Sequence, residues 1–278
     1  MAGTAPIGIF DSGYGGLTIF EKIREALPDR DFLYLGDNAR APYGPRSFEV
    51  VLEFARQATE HLFARGCPLV IFACNTASAK ALRSIQRNDL PRSSDPTRRV
   101  LGVIRPTVEA ADALSRTKHV GVVGTEGTIA SRSYELEMRK LFPEIRVVSE
   151  ACPMWVPLVE NGEIETPAAE YFVKRHLAAL FARDGKIDTL ILGCTHYPVL
   201  LPLIRKFLPA GTRAFPQGAC VAESLKDYLA RHPEMARRIS RGGNAAFLTT
   251  ESAERFSRAA EIFLRARERV RAERIELK

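Results

Sequence analysis

With 278 residues, 46% of them hydrophobic and 26% charged, the chain has material for one large or two medium globular domains, and the disordered and fibrous classes are excluded. Its formal charge is +7, from 40 Lys and Arg against 33 Asp and Glu, with the surplus gathered in "RSIQRNDLPRSSDPTRR" (83–99) and the C-terminal "RFSRAAEIFLRARERVRAERIELK". Neither stretch has the motif or aromatic support that nucleic-acid binding requires, so both read as solvated surface, although an acidic metabolite would feel the same field.

No charged leader with an apolar core opens the chain, and no apolar run approaches the roughly 18 residues of a membrane helix, so a cytoplasmic protein without membrane contact is expected. The five cysteines (Cys67, Cys74, Cys152, Cys194, Cys220) are odd in number, widely spaced and without a C-x-x-C pair. That pattern argues against a disulfide framework and a zinc ribbon.

In chain order, β-rich runs are predicted at "IGIF" (7–10), "DFLYLG" (31–36), "LVIFA" (69–73), "RVLGVI" (99–104), "HVGVVG" (119–124), "IRVVS" (145–149), "TLILG" (189–193) and "TRAF" (212–215). Helical periodicity lies between them, over 17–26, 48–64, 108–115 and 133–141, and a terminal helix is expected to turn Phe256, Ile262, Phe263 and Val270 inward. Near-continuous apolar strands alternating with helices predict an α/β fold with parallel sheets covered on both faces. Polar crossings near 88–99 and 208–213 divide it into a discontinuous lobe one (1–98 plus 210–278) and a lobe two (99–209).

Parallel sheets bind ligands beyond the carboxyl ends of their strands. There the chain places "DSGYGG" (11–16), "DNARAPYGP" (37–45), "CNTAS" (74–78), "TEGTIAS" (125–131) and "CTHYP" (194–198). The two halves echo one another: a first strand leads to a Gly- and hydroxyl-rich loop, and a later strand ends on Cys followed by polar residues. Pseudo-symmetric lobes facing each other across a cleft follow. "DSGYGG" fits neither G-x-G-x-x-G nor a P-loop, so nucleotide binding is poorly supported.

A single cysteine at a strand end is more often a small buried residue than a nucleophile. Two of them, each at a helix start where a lowered thiol pKa is expected, suit a different chemistry: one thiol removes a proton from a stereocentre while the other protonates the opposite face. His196 and Asp11 are placed to orient or relay protons to the nearer thiol. Ser12, Tyr43, Gly44, Asn75, Thr76 and Thr195 supply hydrogen-bonding groups for a small amino acid. Cys67, Cys152 and Cys220 lack this setting and read as structural.

"IGIFDSGYGGL", "YLGDNARAPYG", "FACNTASA", "GVVGTEGTIASRSY", "CPMWVPLVENGE" and "LILGCTHYPVL" resemble, in order and spacing over about 7–205, the signature segments of the cofactor-independent glutamate racemase family. The resemblance implies two flavodoxin-like lobes, L-/D-glutamate interconversion for bacterial peptidoglycan, no cofactor or metal, and a homodimer. It also implies that Cys74 takes the α-proton of D-glutamate and Cys194 that of L-glutamate, assisted by Asp11, His196 and Glu160. Substrate contacts would come from Asp11, Ser12, Tyr43, Gly44, Asn75, Thr76, Thr125, Thr128, Thr195 and His196. The chain departs from the family pattern at Arg105 and Thr107 and at "FPQGAC" (215–220), where an Asp-Ser/Pro-Gly segment is usual. Aspartate and hydantoin racemases share the two-thiol design; a related decarboxylase would need one thiol only, and a thiol-redox or binding protein would need no paired geometry.

Overall fold

The computed structural model describes residues 5–264 and 270–277. Strands β1 (Ile7–Asp11), β2 (Phe32–Gly36), β3 (Leu69–Phe72), β4 (Arg99–Gly102), β9 (Ala245–Thr249) and β10 (Ala272–Arg274) form one parallel sheet in the order β10-β9-β2-β1-β3-β4. Strands β5 (His119–Gly124), β6 (Arg146–Ala151), β7 (Thr189–Gly193) and β8 (Arg213–Phe215) form a second, also parallel, ordered β6-β5-β7-β8. Each sheet thus contains the same winding, a second strand, the first, the third and the fourth. The direction of the chain's progress across the sheet reverses beside β1 in one lobe and beside β5 in the other, the place where doubly wound folds bind ligands.

Burial on both faces explains the unbroken apolar strands. Ile7, Ile9 and Tyr34 pack against Leu17, Phe20 and Ile23 of the helix Leu17–Ala26. Phe10, Leu35 and Phe72 project to the other face, against Val51, Ala55, Ala58 and Leu62 of the helix Phe48–Ala64. In lobe two, Ile104, Val108 and Ala111 of the helix Ile104–Leu114 meet Val120, Val122 and Ile191. Among the described residues, no helix is long and apolar enough to cross a membrane.

The expected lobe boundaries require correction by one strand at each crossing. Residues 99–102, assigned to lobe two, are β4 and pair with β3; residues 213–215, assigned to lobe one, are β8 and pair with β7. Each is the fourth strand of its winding, and which sheet it joins is decided by a non-local partner. The C-terminus also differs. The helix Ala253–Phe263 buries Phe256 and Phe263 but leaves Ile262 exposed, and 272–274 form an edge strand beside β9 rather than continuing a helix. Part of the expected terminal helix, 265–269, lies outside the described residues.

One carboxylate ties the start of β7 to the turn before β5. Asp188 accepts from the backbone N–H groups of Arg116 (2.8 Å) and Thr117 (2.9 Å) and from the hydroxyls of Ser115 (2.8 Å) and Thr189 (3.1 Å). Burial pushes its pKa up, but these donors outweigh burial and hold it at about 2. A depressed carboxylate stabilises the fold above its unfolded pKa and loses that contribution as pH falls through the folded one. Asp188→Ala is therefore expected to cost about 1–2 kcal/mol in urea unfolding at pH 7, and less at pH 2.

Candidate active site

The thiols stand at equivalent positions of the two lobes. Beyond β3, Cys74 caps the helix Asn75–Lys80, its Sγ accepting from Ala77 N (3.4 Å) and lying 3.4 Å from Ser12 Oγ. Beyond β7, Cys194 Sγ lies 3.9 Å from His196 Nδ1. Both line one cleft together with Ser12, Tyr43, Gly44, Asn75, Thr76, Thr125, Glu160, Thr195 and His196, so nearly all the sequence-predicted site residues converge.

Their electrostatic environments differ. Burial pushes the Cys74 thiol up to about 12, and the neighbouring Asp11 charge adds to this, while the Ser12 and Ala77 hydrogen bonds oppose it only in part. The expectation of a lowered pKa at this helix start is overturned: the helix is six residues long, and desolvation of a thiolate outweighs its N–H groups. Asp11 is fully buried, with Oδ2 accepting from Gly13 N (3.0 Å) and no partner for Oδ1 among the described residues. Burial raises its pKa against the lowering effect of His196 and of the Gly16 and Gly13 N–H groups.

Beside Cys194 the neighbouring group is an imidazole rather than a carboxylate. Burial lowers the pKa of His196, but its hydrogen bonds to Cys194 and to Glu160, whose Oε1 is 3.0 Å from Nε2, outweigh burial and hold it above the ordinary histidine value. Glu160, the last residue of the helix Trp155–Glu160, both lines the cleft and holds the imidazole. The Phe263 ring meets the imidazole edge-on at 5.2 Å and shields it. Glu160→Gln is expected to shift the His196 pKa downward, because the imidazolium loses its carboxylate; an NMR titration of the imidazole checks this.

The lobes meet through small polar groups. Thr76 of lobe one and Thr125 and Thr128 of lobe two form a triangle of hydroxyls, with Oγ1 separations of 2.9, 3.2 and 3.0 Å. Gly127 N donates to Gly44 O (2.9 Å), and Thr18 Oγ1 donates to Thr195 O (3.0 Å). Gly15 is required by this approach: a Cβ there would stand 2.4 Å from Thr195 Oγ1 and 2.5 Å from His196 Nδ1. In this closed arrangement the cleft encloses about 30 Å³, room for one water molecule.

Of the sequence-predicted contacts, Asp11 and Thr128 are not among the residues that line the cleft. Tyr43 lines the cleft, but its hydroxyl donates to Asp37 Oδ2, which also binds Arg40 Nε at 2.7 Å. Thr128 is buried and is itself one corner of the hydroxyl triangle. Sequence reasoning missed Thr18, Gly15, Asp37, Phe263 and Gln217. Asp37 and Gly15 lie in strand-end segments already singled out; the others join the site only through tertiary contact. Arg105 is a surface residue, paired with Glu109 (3.0 Å) and Glu137 (3.6 Å). Among the described residues, no group of three or more His, Cys, Asp and Glu side chains is arranged to hold a metal ion.

Comparison with known proteins gives the same architecture a family. A glutamate racemase of Ruegeria sp. (strain TM1040) is 42% identical over 269 residues, 93% of this chain and 96% of its own length. The crystal structure of a glutamate racemase from Bacillus anthracis superposes with a TM-score of 0.88 at 36% identity, covering 99% of this chain and 98% of that one. The Francisella tularensis glutamate racemase, solved in complex with D-glutamate, gives 0.85 at 32% identity with 98% of both chains covered. The family model described as Asp/Glu/Hydantoin racemase matches residues 7–223, a span that holds both thiols, Asp11, Glu160 and His196. With two repeated windings presenting one strand-end cysteine each to a shared cleft, and with these likenesses along nearly its whole length, the chain belongs to the Asp/Glu/Hydantoin racemase family.

Proposed function

We propose that the chain interconverts L- and D-glutamate by a two-base exchange of the α-proton between Cys74 and Cys194. The observation that carries the reading is the pair of thiols lining one cleft from opposite lobes. Inversion needs one sulfur as thiolate and the other as thiol at the start of each turnover, and the two environments differ in that sense. Cys74, buried beside Asp11, favours the neutral thiol. The imidazolium held by Glu160 is the counter-ion a thiolate at Cys194 needs. With that distribution Cys194 takes the α-proton of L-glutamate while Cys74 donates to the opposite face. For D-glutamate the roles reverse, with Asp11 receiving the Cys74 proton and His196 supplying that of Cys194.

An α-proton is far less acidic than a thiol, so the barrier must fall through stabilisation of the enolate-like carboxylate. Hydrogen-bond donors in a water-excluding site supply this, each 1.36 kcal/mol counting tenfold in rate. That Asn75, Thr76, Thr195 and Ser12 line the cleft supports assigning them this role. The small enclosed volume requires the lobes to part before glutamate enters, and the hydroxyl triangle then exchanges its internal bonds for bonds to substrate. The family likeness also supports a cytoplasmic homodimer that supplies D-glutamate for peptidoglycan; sedimentation checks the dimer.

The test is polarimetry with pure L- or D-glutamate and no added cofactor. Optical rotation is expected to decay to zero from either side. Aspartate, one methylene shorter, is expected to turn over roughly 10- to 200-fold less efficiently. Unchanged rotation with glutamate, or faster loss with aspartate, would overturn the substrate assignment.

A further inference from the structure

Asn75 follows Cys74 directly and lines the cleft, yet its side chain is bound from behind. Its Oδ1 accepts from Tyr134 Oη (2.6 Å) and its Nδ2 donates to Gln217 Oε1 (2.7 Å). Gln217 Nε2 in turn reaches Tyr134 Oη (2.6 Å) and Thr107 Oγ1 (2.8 Å), with Asn75 Oδ1 at 3.2 Å. All four side chains are at most 3% exposed.

Counting protons gives the knot a single orientation. The Thr107 hydroxyl donates to Val103 O (2.6 Å), so it accepts from Gln217. The Tyr134 hydroxyl donates to Asn75 Oδ1, so it also accepts from Gln217. The two Nε2 protons thus meet two acceptors, and Oε1 is free to accept from Asn75. Turning the Gln217 amide over would set its oxygen against both hydroxyls and its NH2 against that of Asn75. The Asn75 amide is therefore locked, its oxygen satisfied from behind and one Nδ2 proton left for the cleft.

The four residues also come from separate parts of the fold. Asn75 belongs to lobe one, Tyr134 to the helix Ser133–Leu141 of lobe two, and Thr107 and Gln217 to the segments that follow the two crossings. We infer that Gln217 is a positioning residue: through the Thr107–Tyr134 knot it fixes the Asn75 amide as a hydrogen-bond donor to the substrate and couples that donor to the relative placement of the lobes. This rests on the proposed amino-acid racemisation but adds a residue outside the cleft lining.

The test is a double-mutant cycle with steady-state racemisation of glutamate in both directions, comparing wild type, Gln217→Leu, Asn75→Ala and the double variant. Gln217→Leu is expected to raise KM about tenfold or more with a smaller change in kcat, as for a lost hydrogen bond to a charged substrate. The double variant is expected to match Asn75→Ala alone, since Gln217 acts through that amide. Gln217→Glu keeps the shape and gives a second readout should the leucine variant fail to fold: ionised, it cannot donate to the Thr107 and Tyr134 hydroxyls, so its KM is expected to climb with pH relative to wild type. Unchanged KM in the Gln217 variants, or effects of Gln217→Leu and Asn75→Ala that multiply, would overturn the inference while leaving the racemase reading intact. A wild type that leaves glutamate unchanged overturns both.

Discussion

Cys74→Ala is expected to lower kcat/KM for L- and D-glutamate by the same factor, roughly 10²- to 10⁴-fold, the usual loss on removing an acid or base. The equality is thermodynamic: enantiomers have equal free energy in water, so the ratio of the two kcat/KM values cannot change. What distinguishes the thiols is washout of the α-proton without inversion. Cys74→Ala retains Cys194 and is expected to exchange the α-proton of L-glutamate faster than that of D-glutamate; Cys194→Ala is expected to show the opposite preference. Proton NMR in heavy water reads both, and a reversed preference would exchange the roles assigned to the sulfurs. Retention of full turnover by Cys74→Ala would show that the paired geometry is not used.

Gly15→Ala is expected to have the next largest effect, although the residue carries no functional group. Its Cβ would lie 2.4 Å from Thr195 Oγ1 and 2.5 Å from His196 Nδ1, well inside contact, and neither is the far end of a flexible chain. The loop after β1 must then back away from the loop after β7, parting Asp11 and Ser12 from Cys194 and His196. Displacement of reacting groups by about 1 Å costs on the order of 10²-fold in rate, whereas overpacking costs about 1–3 kcal/mol of stability. A kcat/KM drop of that size with a retained folded circular dichroism spectrum is the expected outcome. Wild-type activity in this variant would mean that the loops do not close during turnover as they do here.

These two residues illustrate what was legible in the sequence. The thiols could be found because strand ends in parallel sheets concentrate chemistry, and because Cys74 and Cys194 occupy equivalent places in a repeated winding. The strands of both windings were legible from their apolar runs. β9 was not: "AAFLT" is short and follows a Gly-Gly-Asn turn, with little to separate it from a loop until it pairs with β2. The membership of β4 and β8 was misplaced for a related reason, since a strand's sequence does not state which neighbour accepts its hydrogen bonds. The lowered pKa expected for Cys74 failed on magnitude, because burial beside Asp11 exceeds what a six-residue helix start provides. Gln217 and Phe263 reach the site only across sequence separations of more than a hundred and of more than sixty residues from Asn75 and His196 respectively, and no local pattern announces such contacts.

The two-base account is tested most directly by racemisation in heavy water at low conversion, with Cα deuterium read separately in the product and in the recovered substrate. The account predicts that product carries deuterium at Cα while recovered substrate still carries protium, from either enantiomer, because the proton delivered comes from the sulfur opposite the one that accepted it. Product that keeps the substrate's own protium would mean that one group carries the proton across both faces, and would contradict the assignment of Cys74 and Cys194 as an acid–base pair.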